Sequence, residues 1–239
     1  MRAVLLDVDD TLVDTRAAFA AAISQVVGEW LPHLDADGRE AALQHWVRDA
    51  AGHFRAYTRG ETDFTTQRRR RAAALHAAFG GVALDDAAAA RWDAGYEEAF
   101  RAAWRPSRDA ARLLDVLDTA GVPAGAVTNM LTAYQRRKLA AVGLLGRLRV
   151  VVGIDVVGVG KPDPRMFGRA CDRLGVAPSQ AAYVGDELDV DARAARDAGL
   201  VGVWLDRHGS GLVPGDVPVV RSLDEVPPLL GLAPPRPGR

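Results

Sequence analysis

Cysteine is almost missing from this sequence. One, Cys171, stands among 239 residues, which excludes an intrachain disulfide and any cysteine-based zinc cluster. Long apolar runs are missing too: none approaches the roughly 20 residues needed to span a bilayer, and Asp7 interrupts the N-terminal run too early for a signal segment. Neither sign of charge dominates, with 30 Lys and Arg against 31 Asp and Glu and a net charge of −1. A general nucleic-acid binder shows a basic excess, so neither nucleic acid nor membrane is an expected partner, and the expected location is cytoplasmic. The five histidines (His33, His45, His53, His76 and His208) are scattered without metal-ligand spacing. No internal repeat or long low-complexity tract is found.

What is present is ordinary globular material, 49% hydrophobic and 26% charged. The abundant alanine and arginine have the flavour of a GC-rich genome and carry no functional message. Short aliphatic runs occur at Ala3–Leu6, Pro123–Val127, Leu148–Val152, Ala181–Val184, Val201–Leu205 and Val217–Val220. Each is bounded by charge, Gly or Pro and reads as a buried strand. Helical patterns such as Asp109–Ala120 and Ala133–Val142 lie between them, and strand alternating with helix implies a parallel sheet covered on both faces. The fold class is therefore α/β, a doubly wound parallel sheet of Rossmann-like type.

The interval 16–104 differs. It has no clear strand, and Phe19, Ile23, Val26 and Trp30 follow helical spacing. It reads as an α-helical domain inserted after the first strand, broken at Gly60 and at Gly80–Gly81. Residues 1–15 and 105–230 then form the α/β core, and the Pro/Gly-rich 231–239 a frayed tail. Four successive arginines, Arg68–Arg71, point around most of a helix and read as a solvated face with local ion pairs rather than a ligand patch.

Ligands of open α/β sheets bind beyond the carboxyl ends of the strands. Strand one ends at Asp7-Val8-Asp9-Asp10-Thr11, strand two at Thr128-Asn129, and strand four at Gly185-Asp186 with Asp189 and Asp191 following. After strand three comes Gly160-Lys161-Pro162-Asp163-Pro164. Asp7, Asp9 and Asp186 brought to one edge need a hard cation, and oxygen ligands suit Mg²⁺. The cation would relieve repulsion between an attacking carboxylate and an anionic phosphoryl group, giving an aspartyl-phosphate. Lys161 and the Thr128 hydroxyl would balance the equatorial oxygens.

The set DVDDT, VTN, KPDP and VGDELDVD resembles, in order and spacing, the four motifs of the haloacid dehalogenase-like (HAD) superfamily. The resemblance runs from residue 1 to about 225, the insert matching only as a helical cap of the first type. It implies Asp7 as nucleophile, Asp9 as general acid and base with its backbone carbonyl on the metal, and Thr128, Asn129 and Lys161 at the phosphate. Asp186 would be the acidic metal ligand, and Asp191 a partner of the metal or of the lysine. Asp10 stands where glycine is frequent in the family. Haloacid-processing members lack an acid at the position of Asp9, so its presence favours a phosphatase of a small phosphorylated metabolite. A phosphomutase would share these residues, and a non-catalytic binding protein would have lost some of them. Asp10 and Asp189 are expected to serve local backbone and solvent, and Cys171 to be inert core. Oligomeric state is not legible.

Overall fold

Six strands hydrogen-bond side by side in the computed structural model, all pairs parallel: β1 (Ala3–Leu6), β2 (Ala124–Val127), β3 (Leu148–Val152), β4 (Ala181–Gly185), β5 (Val201–Leu205) and β6 (Val219–Val220). Their spatial order is β3-β2-β1-β4-β5-β6. The chain winds outward from β1 in one direction, then crosses back to β4 and winds outward in the other. The topological switch therefore lies beside β1, with β2 and β4 as its neighbours. Starts expected at Pro123 and Val217 move to Ala124 and Val219, because Pro123 and Pro218 have no N–H for the ladder.

The structure describes residues 1–232, which form two compact units: Met1–Asp14 with the chain from Pro106 onward, and Thr15–Arg105. The second unit is wholly helical, comprising α1 (Thr15–Trp30), α2 (Ala36–Arg48), α3 (His53–Thr58), α4 (Phe64–Ala78) and α5 (Asp86–Ala102). Helices α2, α4 and α5 open on aspartates (Asp35, Asp63, Asp85) whose carboxylates accept a backbone N–H of the first turn. Gly60 and Gly80–Gly81 fall in the breaks on either side of α4. A further break follows α2, where the Asp49 carboxylate accepts from the His53 and Phe54 N–H groups.

On α5, Trp92, Tyr96, Phe100 and the following Trp104 recur every fourth residue and build an aromatic column. Ring centroids are 5.4 Å apart for Trp92–Tyr96 and 5.8 Å for Tyr96–Phe100. Phe19 of α1 stacks on Phe100 at 5.0 Å, which explains why α1 and α5 pack together. The arginine run departs from its expected solvated face. Arg69 and Arg70 are exposed, but Arg68 is buried and Arg71 half-buried; long stems let arginine enter an aromatic core once its head finds carboxylates.

In the sheet unit, period-two alternation sorts side chains onto two faces. Val4 and Leu6 pack with Leu113, Leu114 and Leu117 of α6 (Ala110–Thr119) and Leu139 of α7 (Thr132–Ala141). Ala3, Leu5 and Tyr183 pack with Met166 and Phe167 of α8 (Pro164–Leu174) and with Ala194 and Ala195 of α9 (Ala194–Asp197). Cys171 is fully buried in that second face. The closing helix α10 (Val226–Leu229) is followed by Gly231 and Leu232, expected to fray. Their N–H groups instead bond to Pro228 and Pro227 carbonyls, and Leu232 packs on the core. The rest of the expected tail lies outside the described residues. Among those described, no helix is long and apolar enough to cross a membrane.

Candidate active site

The rim at the carboxyl end of β1 is built by a tight loop. Leu12 and Val13 both donate N–H to the Val8 carbonyl, so Asp7 to Thr11 curl over the strand end. Asp10 sits in the loop with φ 55°, the left-handed region that glycine enters freely and aspartate tolerates. Arg207 fixes the loop from outside, donating from Nε to the Asp10 carbonyl (3.1 Å) and from Nη2 to the Thr11 carbonyl (2.9 Å). Its other hydrogen bonds go to the Asp109 carboxylate, at 2.8 Å each. Asp109 also accepts from Ser222 and the Leu223 N–H. Burial works against the Asp109 charge, but the hydrogen bonds from Arg207, the Leu223 N–H and Ser222 together outweigh it and bring its pKa down to about 2.

Asp7 and Lys161, separated by 154 positions in the chain, meet in the interior with Nζ 2.6 Å from Oδ1. Lys161 also donates to Asp191 (2.6 Å) and lies 2.8 Å from the Tyr183 hydroxyl. Tyr183 reaches the Val127 carbonyl and Asp191 as well, at 3.1 Å each. Both oxygens of Asp191 are engaged, its Oδ2 accepting from the Glu187 N–H. Two glycines permit these approaches. A Cβ on Gly185 would lie 2.4 Å from the Asp191 carboxyl carbon, and one on Gly160 would lie 2.5 Å from Asn129 Oδ1.

Asn129, expected at the substrate, has both amide atoms on the Lys161 backbone: Nδ2 donates to its carbonyl (3.0 Å) and Oδ1 accepts its N–H (2.6 Å). Thr128 is buried, its Oγ1 2.9 Å from Gln135 Nε2. The carboxylate of Asp9 turns to α7, toward Lys138 and Gln135. Asp189 is exposed and paired with Arg193.

Carboxylate oxygens of Asp7, Asp186 and Asp191 lie within 4.8 Å of one another, and the Lys161 ammonium contacts Asp7 and Asp191. Thr11 Oγ1 is 3.4 Å from Asp186 Oδ1, and Trp204 holds the Asp186 carbonyl. Burial, only partly offset by Lys161, raises Asp7 to about 8, with Asp191 and Asp9 pushing the same way. Burial and then Asp191 and Asp7 push Asp186 well up. For Lys161, burial is outweighed by Asp191 and Asp7, and its pKa moves up. Oxygen donors crowded with surplus negative charge fit a hard divalent cation of the Mg²⁺ kind. Asp7 and Asp186 are the residues with oxygens to offer it, and Asp191 adjoins them.

A family model described as haloacid dehalogenase-like hydrolase matches residues 1–199. The chain belongs to that family. Among curated HAD relatives, glyceraldehyde 3-phosphate phosphatase of Methanopyrus kandleri is 30% identical over 87% of this chain and 84% of its own. Phosphoglycolate phosphatase of Escherichia coli is 29% identical over 97% of this chain and 93% of its own. A shorter match, to phosphoserine phosphatase of Thermus thermophilus, is 45% identical but spans 40% of this chain and 37% of that one. The fold is shared with the magnesium-bound HAD-hydrolase YfnB of Bacillus subtilis, at a TM-score of 0.77 and 23% identity over 96% of this chain and 98% of that one. The chain is thus a HAD-family phosphatase, an enzyme acting on phosphoesters.

Tyr183, Gln135, Lys138 and Arg207 escaped the sequence reading. Tyr183 was visible only as a strand residue and Arg207 as one arginine among many. Gln135 and Lys138 fell inside a helix whose orientation the sequence does not give.

Proposed function

We propose that the chain hydrolyses a small phosphomonoester with Mg²⁺ through a phosphoryl group carried on Asp7, in the cytoplasm. The observation that carries this reading is Asp7 at the switch point of the sheet, 2.6 Å from Lys161 and grouped with Asp186 and Asp191. The phosphatase names of the full-length relatives support the reaction class.

In the first displacement an Asp7 oxygen bonds to phosphorus while the ester P–O bond breaks, and the departing oxygen takes a proton from Asp9. In the second, Asp9 takes a proton from water as the water oxygen bonds to phosphorus and the Asp7–phosphoryl bond breaks. Asp9 thus returns to its starting state. Lys161 and the Thr128 hydroxyl stabilise charge on the transferring group. Mg²⁺, held by Asp7, Asp186 and the Asp9 carbonyl, would supply electrostatic neutralisation of the phosphoryl oxygens. Asn129 and Asp191 are read as positioning Lys161, one through its backbone and one through its ammonium. The inserted helical unit is read as a cap that selects the leaving group.

The test is phosphate release from a broad phosphomonoester panel with and without Mg²⁺, together with acid-quench trapping of phosphorylated protein. Turnover with a labelled Asp7 is expected. No turnover with any divalent cation would overturn the reading.

A further inference from the structure

Lysine is the scarce basic residue of this chain. Of its 30 lysines and arginines, only Lys138 and Lys161 are lysine. Both lie against aspartates of the site: Lys161 against Asp7 and Asp191, Lys138 against Asp9. Lys161 belongs to the reading above, whereas Lys138 has no part in it. Yet Lys138 is 1% exposed, with Nζ 2.5 Å from Asp9 Oδ1 and 5.6 Å from the Tyr134 ring centroid. An ammonium on an unbranched stem delivers a compact charge where a planar guanidinium fork needs a wider slot.

Three residues earlier on α7, and so on the same side of the helix, Gln135 is fully buried. Its Nε2 lies 2.5 Å from Asp9 Oδ2 and 2.9 Å from Thr128 Oγ1. An amide nitrogen carries two hydrogens, one for each of these oxygens. Thr128 therefore accepts from Gln135, and its own hydroxyl proton is left to be donated to an anionic oxygen. Gln135 Oε1 is buried without a hydrogen-bond partner. The amide is thus oriented by Asp9 and Thr128, since turning it over would set Oε1 against a carboxylate.

We propose that Gln135 and Lys138 are positioning residues of the phosphatase site, a clamp from α7 that fixes both oxygens of Asp9 and couples Asp9 to Thr128. The proposal rests on the reading of Asp9 as the proton-transfer group. Neither clamp residue exchanges a proton with substrate; each acts through the group it holds.

The test compares kcat/KM of the full chain with Mg²⁺ over phosphomonoesters graded from aryl to alkyl leaving groups, for wild type, D9N, K138M, Q135L and D9N/K138M. Inhibition by inorganic phosphate and thermal melts are recorded for each. In K138M the loss should grow with leaving-group basicity, to about tenfold or more at the alkyl end, with phosphate inhibition little changed. Q135L should show the same slope and also weaken phosphate inhibition several-fold, through Thr128. In the D9N background K138M should add little. Losses uniform across the series, or none in either single variant, overturn the proposal; should K138M fail to fold, Q135L alone decides. A flat series for D9N overturns the proton-transfer reading of Asp9 and the clamp with it, whereas a sloped D9N with flat clamp variants overturns the clamp only.

Discussion

In the helical unit, Arg68 lies 4.7 Å from the ring centroids of both Phe64 and Tyr96 and pairs with Glu97 at 3.0 Å and Asp93 at 3.3 Å. In the sheet unit, Lys161 lies among Asp7, Asp191 and Tyr183, with Asp186 beside them. Both are interior cations with two carboxylates in contact, but their surroundings differ. Aromatic faces add attraction for Arg68, and its carboxylate partners retain access to water, Asp93 being 46% exposed. Around Lys161 a third carboxylate is crowded into the rim, and burial first, then the neighbouring carboxylates, pushes Asp7 and Asp186 up. A buried charge is therefore a functional signal when the groups around it leave an imbalance, and a packing feature when water and further ions make it up, as Arg101 does on Glu97.

The sharpest way to break this contrast is at Asp7. Asp7→Asn keeps the volume and removes the nucleophile, so turnover should fall by about 10⁴-fold or more with thermal stability maintained; a steady-state assay beside a melting curve checks both. Lys161→Met should cost on the order of 10²–10³ in rate and weaken inhibition by inorganic phosphate, measured by competition. In the helical unit the same kind of deletion should act on the fold instead. Arg68→Met should destabilise by about 2 kcal/mol in urea unfolding, because it removes a desolvated cation from two aromatic faces and from its Glu97 and Asp93 partners.

Asp109 gives a pH-dependent comparison. Its folded pKa, about 2, lies below the ordinary 3.8, so its contribution is fully present above about pH 4 and is lost as pH falls through 2. Asp109→Asn should therefore cost about 2 kcal/mol at pH 7, and the gap from wild type should narrow as unfolding is followed down toward pH 2. Smallest of all, Arg59→Ala should leave the melting temperature unchanged, since its Glu61 partner is equally exposed.

Much of the rim was legible because each strand end carries its own chemistry in a few consecutive residues. Asp7, Thr128, Lys161 and Asp186 could be named from DVDDT, VTN, KPDP and VGDE without knowing how the strands pair. Asn129 shows the limit of that method: its neighbours mark it as a site residue, but only geometry shows its amide clasping the Lys161 backbone. The arginine run shows another limit. Helical periodicity says that four consecutive arginines face all ways, but not that two of those ways lead into an aromatic core.

The sequence by itself determined the local terms. Apolar runs set the strands, aspartate caps and glycine breaks set the helices, and the order of motifs set which residues stand at the strand ends, because each depends on neighbours a few positions away. Tertiary structure alone decided which groups meet across long separations: Lys138 with Asp9 over 129 positions, Arg207 with Asp109 over 98, and Tyr183 with Lys161 over 22. Such contacts follow from the packing of α7, the loop before α8 and the β5–β6 segment against the sheet, and packing depends on the shape of the whole buried surface rather than on any short stretch of chain.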